Sequence, residues 1–267
     1  MKNVVTILLL LSSWLTLFTA TIVGCGNASL RKQKSQPEKI IYYQLGDTRV
    51  PIHVKTYGDK QDLVFVNLHD NEFTSVEGAM PVIEEKGGTF IRIENNRDRV
   101  ISFRFRGNSY SFDPNRMFSD TGISETMKEQ SRFNEAAAEE IKKFSERFLG
   151  LIPREAKYLI ALHNNTDGGF SVLSYMQGGE YQHDAKKVYR NPSEDPDDLV
   201  YTTNEKVYKN SVKFGFNSVL QHKKPTQDGS LSVWAGENDW KYINLETEHG
   251  KVLKYREMLL LLVESFD

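Results

Sequence analysis

Two short apolar runs, each followed by a histidine, dominate the hydrophobic pattern of this chain. Residues 62–68 precede His69, and residues 158–162 precede His163. Continuous apolar runs of this length are typical of strands buried inside an α/β sheet. If the two strands are parallel neighbours, their carboxyl ends lie at one edge of the sheet, which is where open α/β sheets place their sites.

The remaining pattern predicts further elements around these two strands. Residues 87–94 indicate another strand, and residues 100–106 alternate between apolar and polar as in a hairpin. One long helix is predicted over residues 124–149, and a packed helix closes the chain at residues 258–263. Residues 177–201 are polar and are predicted to form a loop that shapes specificity. We expect an α/β fold with a single domain and a mixed, mainly parallel sheet flanked by helices.

The N-terminal 25 residues have the pattern of a secretory signal. A basic Lys2 precedes an apolar run that ends in Ile-Val-Gly-Cys, and Cys25 is the only cysteine of the chain. This ending resembles a bacterial lipobox, in which cleavage precedes a cysteine that receives lipid. The alternative is an uncleaved anchor, because the run nearly reaches the ~20 residues of a spanning helix. Both interpretations place the folded part outside the cytoplasm, attached to a membrane.

Three segments are therefore predicted: a lipoprotein signal at 1–25, a flexible tether at 26–39 and a catalytic domain at 40–267. The tether is polar and rich in Lys, Gln and Ser. The domain is long enough for one α/β core. The net charge of -2 argues against nucleic acid as a partner.

Candidate metal ligands follow the first apolar run. His69 and Glu72 are three residues apart, so a helical turn would point both side chains to the same side. Imidazole and carboxylate ligands suit a catalytic zinc ion. His163 has the same position after the second run and is the candidate third ligand. A single histidine more often only hydrogen-bonds locally, but two strand-end histidines with Glu72 beside one of them favour a metal site.

Asn115 and Arg116, which lie in the chain between the two histidines, are candidate substrate-binding residues. An arginine binds a carboxylate through two parallel hydrogen bonds, and an adjacent amide can complete the contact. The alternative is a surface turn with a structural ion pair.

These motifs, taken in order, resemble the zinc carboxypeptidase superfamily. The residues that carry the resemblance are His69-x-x-Glu72, Asp113-x-Asn115-Arg116 and the strand-end His163. The local sequences are most similar to the aspartoacylase and succinylglutamate desuccinylase branch, with its His-Gly-Asn-Glu, Asp-Leu-Asn-Arg and Leu-His-Asn-Thr-Thr. Asp70 replaces a glycine of that branch and Pro114 replaces a leucine. These differences affect the prediction of the substrate more than the prediction of the bound metal.

The resemblance implies a zinc carboxypeptidase-like fold and a role for particular residues. His69, Glu72 and His163 would hold Zn2+ and leave one position open for water. A glutamate from a late strand would accept the proton of the attacking water and pass it to the leaving nitrogen. Glu246 is the preferred candidate for this base, with Glu248 in reserve.

Further residues follow from the same resemblance. Asn115 and Arg116 would bind a free carboxylate of the substrate. A second cation would stabilise the oxyanion, for which Arg97 is preferred and Arg99 is the alternative. Asp113 would orient a zinc-binding histidine.

The sequence thus predicts an exported, membrane-anchored zinc hydrolase that cleaves an amide bond next to a free carboxylate. A small peptide or peptidoglycan fragment is the preferred substrate, and an N-acyl amino acid, as in the aspartoacylase branch, is the alternative. Two other classes stay open. One is a zinc-less surface binding lipoprotein of the same fold, and the other is a structural envelope lipoprotein in which the strand-end histidines are a coincidence.

Overall fold

A nine-stranded sheet runs through the computed structural model, which describes residues 32–59 and 61–266. A separate two-stranded hairpin lies beside it. In chain order the strands are β1 (Lys39–Leu45), β2 (Thr48–Tyr57), β3 (Leu63–Asn67), β4 (Gly88–Ile93), β5 (Ile101–Phe105), β6 (Asn108–Phe112), β7 (Tyr158–Leu162), β8 (Ala185–Tyr189), β9 (Leu199–Thr202), β10 (Asn217–Gln221) and β11 (Lys241–Glu246).

The sheet is mixed, in the order β1-β2-β4-β3-β7-β11-β9-β10-β8, and β5 pairs with β6 in the hairpin. The four central strands β4, β3, β7 and β11 run parallel. Antiparallel pairings lie on both sides of this centre. The predicted α/β class with a mixed sheet is confirmed, and the parallel centre brings the carboxyl ends of β3, β7 and β11 to one edge.

Helices cover both faces of the sheet. They are α1 (Phe73–Lys86), α2 (Asp120–Gln130), α3 (Glu135–Leu149), α4 (Glu205–Lys213), α5 (Leu231–Glu237) and α6 (Val252–Glu264). Alternate residues of β3 enter two different apolar clusters: Val64 and Val66 pack with the buried faces of α2 and α3, and Phe65 packs with those of α1 and α6. Burial on both faces is the reason why β3 and β7 lack polar alternation. Among the described residues, no helix is long and apolar enough to cross a bilayer.

The single helix predicted over 124–149 is wrong, because the structure has α2 and α3 there. The Asn134 side chain accepts a hydrogen bond from the backbone N–H of Ala137 and so starts a new helix after the break. Ser119, rather than Ser124, caps α2 by accepting from the N–H of Gly122. The polar residues between the helices supply caps, which helical periodicity alone does not reveal.

The polar segment 177–201 is also more regular than predicted, since it contains β8 and most of β9. β8 is an edge strand whose lysines face solvent, and β9 is a buried strand of only four residues. β8 contains two successive lysines and β9 has only three successive apolar residues, so neither gives the apolar run or the alternation by which a strand is recognised in a sequence.

The predicted signal at 1–25, its Cys25 and residues 26–31 of the predicted tether lie outside the described residues. Residues 32–38 of that tether lie against the domain. The backbone N–H of Gln36 donates to the carbonyl of Thr56, and that of Gly58 donates to the carbonyl of Lys34. This part of the predicted tether is therefore not free of the domain.

The first turn of α2 is packed tightly beneath the loop before α5. A side-chain carbon added at Gly122 would lie within 2.5 Å of the Arg116 carbonyl oxygen and against the Cα of Gly229. The Phe118 N–H also donates to the Gly229 carbonyl at 3.0 Å. Two backbone segments thus meet here without an intervening side chain.

Replacing Gly122 by alanine is expected to destabilise the protein by about 1–3 kcal/mol, because backbone atoms must shift to admit the methyl group. For a domain of this size that corresponds to a loss of roughly 2–4 °C in Tm per kcal/mol. Gly150→Ala is the matched control: its added carbon would lie 3.3 Å from the nearest atom, a helix carbonyl. Thermal unfolding of both variants measures the difference, and equal Tm values would contradict the close approach.

Candidate metal centre

The three predicted metal ligands meet at the carboxyl edge of the central strands. His69 follows β3, His163 follows β7, and Glu72 stands at the start of α1. His69 Nδ1 lies 2.9 Å from Glu72 Oε1, and His163 Nδ1 lies 2.7 Å from Glu72 Oε2. All three side chains are buried, and one ligand atom of each lies within 4.8 Å of those of the other two. The backbone N–H of Glu72 donates to the His69 carbonyl, which closes the turn that pairs them.

The donor set fits a zinc ion. Two imidazole nitrogens and one carboxylate form a frequent ligand set of catalytic zinc, and both histidines offer the same atom, Nδ1, toward Glu72. His69 Nε2 hydrogen-bonds Asp113 Oδ1 at 2.7 Å, which is the outer contact that zinc-binding imidazoles usually make. His163 Nε2 is buried and has no hydrogen-bond partner among the described residues.

Opposite charges set the protonation of this cluster. Burial alone would lower the pKa of His69, but the Glu72 and Asp113 carboxylates outweigh it and raise the pKa to about 9. Burial alone would likewise raise the pKa of Glu72, but His69 and His163 hold it well below its usual range. The pKa of Asp113 is also held low, by His69 and then Arg99, against the effect of burial. Both carboxylates therefore stay charged inside the protein.

Arg99, and not the preferred Arg97, is the arginine at this site. Arg99 Nη1 lies 2.7 Å from Glu72 Oε1, and its Nη2 lies 3.2 Å from Asp113 Oδ2. The guanidinium of Arg97 instead lies over the ring of Phe73, 5.4 Å from its centroid. The two arginines are two residues apart in a turn, so the choice between them depends on backbone angles that the sequence does not display.

Asp70, at the position where the resembling branch has glycine, holds that turn. Its Oδ2 accepts hydrogen bonds from the backbone N–H groups of Asn95 and Arg97, both at 2.8 Å. Asn96 and Arg97 have φ values of 51° and 64°, a left-handed conformation that non-glycine residues adopt rarely. The carboxylate of Asp70 thereby stabilises the bend that brings Arg99 to Glu72.

A cavity of about 660 Å³ opens beside the cluster. Glu72, Arg99 and His163 line one end. The predicted Asn115 and Arg116, together with Glu246 and His249, also line the cavity. Glu248, the reserve base, lies outside this lining and pairs with Lys251 at 2.8 Å.

Asn115 and Arg116 are held by the first residue of α5 and by the loop before it. The backbone N–H of Leu231 donates to Asn115 Oδ1 at 3.0 Å, and Arg116 Nη1 lies 3.5 Å from Asp228 Oδ2. Arg116 Nη1 also donates to the Asn115 carbonyl at 2.9 Å. The side chain of Arg116 is 37% exposed, so its guanidinium can be reached by a molecule in the cavity.

Glu246, the last residue of β11, is a buried carboxyl at the wall of the cavity. Only 7% of the residue is exposed, and Asn244 Nδ2 donates to its Oε1 at 3.1 Å. Burial raises the pKa of Glu246 to about 7, with His163 opposing that rise and Glu72 adding to it. A carboxyl with a pKa near neutrality can both accept and return a proton.

Part of the cavity lining comes from residues that sequence reasoning did not single out. Four aromatic side chains and two carboxylates lie there: Phe170, Tyr175, Tyr181, Tyr201, Asp184 and Asp228. Three of them belong to the segment 177–201, which was expected to shape specificity. Their spacing along the chain gives no periodic signal, because short strands and turns bring them together.

Comparisons with known proteins found distant structural neighbours but no match in sequence. No family model matches the chain. No curated protein matches it either. Bovine thrombin-activatable fibrinolysis inhibitor, solved in complex with tick carboxypeptidase inhibitor, is similar at 11% identity and a TM-score of 0.43, over 85% of this chain and 88% of that chain. Murein-tripeptide amidase MpaA from Escherichia coli O157 is similar at 9% identity and a TM-score of 0.37, over 85% and 90%.

Legionella pneumophila LapA is a further neighbour, at 10% identity and a TM-score of 0.39. The match covers 86% of this chain, which spans 60% of the length of LapA. Likenesses with TM-scores below 0.5 carry no argument about activity, so the function is inferred from the geometry of the site.

Glu246→Gln is expected to stabilise the metal-free protein at pH 8 and to leave its stability almost unchanged at pH 4. The folded pKa of Glu246 is raised above the unfolded value of 4.5. The stability due to its protonated form is therefore complete below pH 4.5 and is lost as the pH rises through about 7. Glutamine stays neutral, and we expect a gain on the order of 2 kcal/mol at pH 8.

Denaturant unfolding after chelation, at both pH values, measures this gain. Glu248→Gln is the control, because Glu248 lies outside the cavity and pairs with Lys251, so its replacement removes an ion pair and should give no gain at pH 8. An effect of Glu246→Gln that is the same at pH 4 and pH 8 would contradict a buried carboxyl that titrates near neutrality.

Proposed function

We propose that this protein is a zinc-dependent hydrolase that cleaves an amide bond next to a free carboxylate. One observation carries the proposal: His69, Glu72 and His163 converge, buried, on one point at the end of a 660 Å³ cavity that Glu246 also lines. Cavities of this size suit small-molecule and peptide ligands.

The residues divide the chemistry between them. His69 Nδ1, the Glu72 carboxylate and His163 Nδ1 would hold the metal. A bound zinc ion supplies Lewis-acid polarisation of a carbonyl group and lowers the pKa of water. Asn244 occupies Oε1 of Glu246, which leaves Oε2 to take a proton from the attacking water and return it to the leaving nitrogen.

Binding and charge stabilisation fall to the arginines. Arg116, with Asn115 beside it, holds the substrate carboxylate through a planar fork of donors. Arg99 lies at the metal end and offers positive charge where the carbonyl oxygen becomes negative. A small peptide or peptidoglycan fragment is the preferred substrate, and an N-acyl amino acid presents the same pairing of amide and carboxylate.

A zinc-less binding protein of the same fold is the second candidate, because one contact favours it. Arg99 Nη1 lies 2.7 Å from Glu72 Oε1 and so can neutralise that carboxylate without a metal. Metal analysis of the purified protein separates the candidates. Zinc at about one equivalent per chain supports the hydrolase, and its absence after preparation in zinc-containing buffer supports the binding protein.

We also propose that the protein is exported and anchored to a membrane by lipid on Cys25. The lipobox-like ending of the apolar run supports this. Mass spectrometry of the N-terminal peptide from a bacterial host tests it: a mature chain that begins with acylated Cys25 is expected, and an unprocessed Met1 would contradict it.

Glu246→Gln is expected to lower kcat by about 10²–10⁴-fold while the protein keeps its zinc, since the proton acceptor is removed and the ligands are intact. His163→Ala is expected to lose most of the zinc, because two ligands seldom hold the metal. Steady-state kinetics on N-acyl dipeptides and zinc content by mass spectrometry measure both. Glu248→Gln serves as the control, and a kcat loss in that variant equal to that of Glu246→Gln would contradict the assignment.

Arg99→Gln is expected to lower kcat by about 10²-fold, with zinc retained, because the positive charge beside the reacting carbonyl is lost. Arg97→Gln is the matched control, since the Arg97 guanidinium lies over Phe73 instead. The same kinetic assay applies. A larger loss from Arg97→Gln than from Arg99→Gln would show that the wrong arginine has been assigned.

A further inference from the structure

Four aromatic rings line the same cavity as Arg116. This aromatic wall consists of Phe170, Tyr175, Tyr181 and Tyr201. Tyr175 is its centre: its ring centroid lies 5.7 Å from that of Phe170, 5.6 Å from that of Tyr181 and 5.2 Å from that of Tyr201. Tyr175 and Tyr201 are buried. A cation that lies over the face of an aromatic ring, within about 6 Å of its centroid, is attracted by the ring.

Two carboxylates border the aromatic wall. Asp184 Oδ1 accepts hydrogen bonds from the Thr226 N–H at 2.7 Å and from its hydroxyl at 2.9 Å. Both bonds reach the same oxygen, and among the described residues none donates to Asp184 Oδ2. Asp228 Oδ1 accepts from the Ser230 N–H at 2.9 Å. This end of the cavity thus presents two negative charges and one arginine.

The contact between Arg116 and Asp228 limits what can bind. The guanidinium lies 3.5 Å from Asp228 Oδ2, so a substrate carboxylate bound by Arg116 arrives close to a second carboxylate. The two carboxylates would share one guanidinium and repel each other, and a further cation nearby would offset that repulsion. A substrate that brings its own cation on the same residue removes that repulsion.

The tyrosines stay neutral beside these carboxylates. Burial and then the charge of Asp184 raise the pKa of Tyr201 well above its usual value. Burial, followed by Tyr201, also raises the pKa of Tyr175. Protonated phenols add no negative charge of their own, so the aromatic faces, Asp184 and Asp228 are the groups that a cation meets here.

We propose that this end of the cavity selects a substrate whose carboxylate-bearing residue has a cationic side chain, a primary amine or a guanidinium. The inference deepens the proposed function and depends on Arg116 binding the substrate carboxylate. The cation lies between the aromatic wall and the carboxylates of Asp184 and Asp228. These residues determine specificity and take no part in bond cleavage.

The test compares three benzoyl-glycyl dipeptides that end in lysine, norleucine or glutamate. Norleucine has a similar aliphatic side chain without the ammonium group. Calorimetric titration into the zinc-treated full chain carrying Glu246→Gln measures affinity without turnover. The lysine peptide is expected to bind about tenfold more tightly than the norleucine peptide, and the glutamate peptide most weakly. Equal affinities, preference for either other peptide, or no binding of the lysine peptide would overturn the proposal.

Asp184→Asn, made in the chain that carries Glu246→Gln, tests the contribution of the negative charge of Asp184. Asparagine keeps an oxygen for both Thr226 hydrogen bonds, so the loop should fold as before, which its Tm checks. The ratio of lysine to norleucine affinity is expected to fall about threefold, because the aromatic wall and Asp228 remain. Asp239→Asn is the matched control, because Asp239 is exposed and lies outside the cavity. An unchanged ratio in Asp184→Asn would overturn the role of this carboxylate.

Hydrolysis by the unmutated chain separates this inference from the proposed function. Cleavage of the norleucine peptide with no preference for lysine would keep the hydrolase and overturn the cation site. Preferential binding of the lysine peptide with no cleavage of any peptide would keep the cation site and overturn the hydrolase.

Discussion

The charged carboxylate of Glu72, buried among three cationic or imidazole groups, is the constraint on which the rest of the site depends. A buried carboxylate costs several kcal/mol unless hydrogen bonds and opposite charges offset that cost. Here His69 meets one oxygen, His163 meets the other, and Arg99 shares the first. Since these groups come from two strands and one turn, Glu72 links parts of the chain far apart in sequence, and a metal ion would replace or supplement the same attractions.

The parallel centre of the sheet explains why this convergence is possible. β3, β7 and β11 end at the same edge, so His69, His163 and Glu246 are neighbours although β11 comes much later in the chain. The residues at the strand ends form one side of the cavity, and loops between outer strands form the other. In the proposed function, the strand ends accordingly carry the chemistry, and the turns around Asp184 and Asp228 carry substrate recognition.

Local chemistry made several positions predictable. A histidine and a carboxylate three residues apart are placed together by one turn, and Arg116 with the neighbouring amide of Asn115 forms a motif of two adjacent residues. Glu246 over Glu248 was a choice between alternate residues of a strand, and the structure places Glu246 at the cavity. The structure places Arg99, and not the preferred Arg97, beside Glu72, because Asp70 bends the backbone between β4 and β5 in a way that no local propensity encodes.

The sequence by itself determined the buried strands and the identity of the groups at their ends, on which the proposed chemistry is based, because apolar runs and short motifs act over a few residues. Tertiary structure decided which arginine meets Glu72, where the helix over 124–149 breaks, and that aromatic and acidic residues far apart in the chain share one cavity wall. These outcomes depend on packing and on capping contacts between distant segments, and such contacts leave no periodic trace in the order of residues.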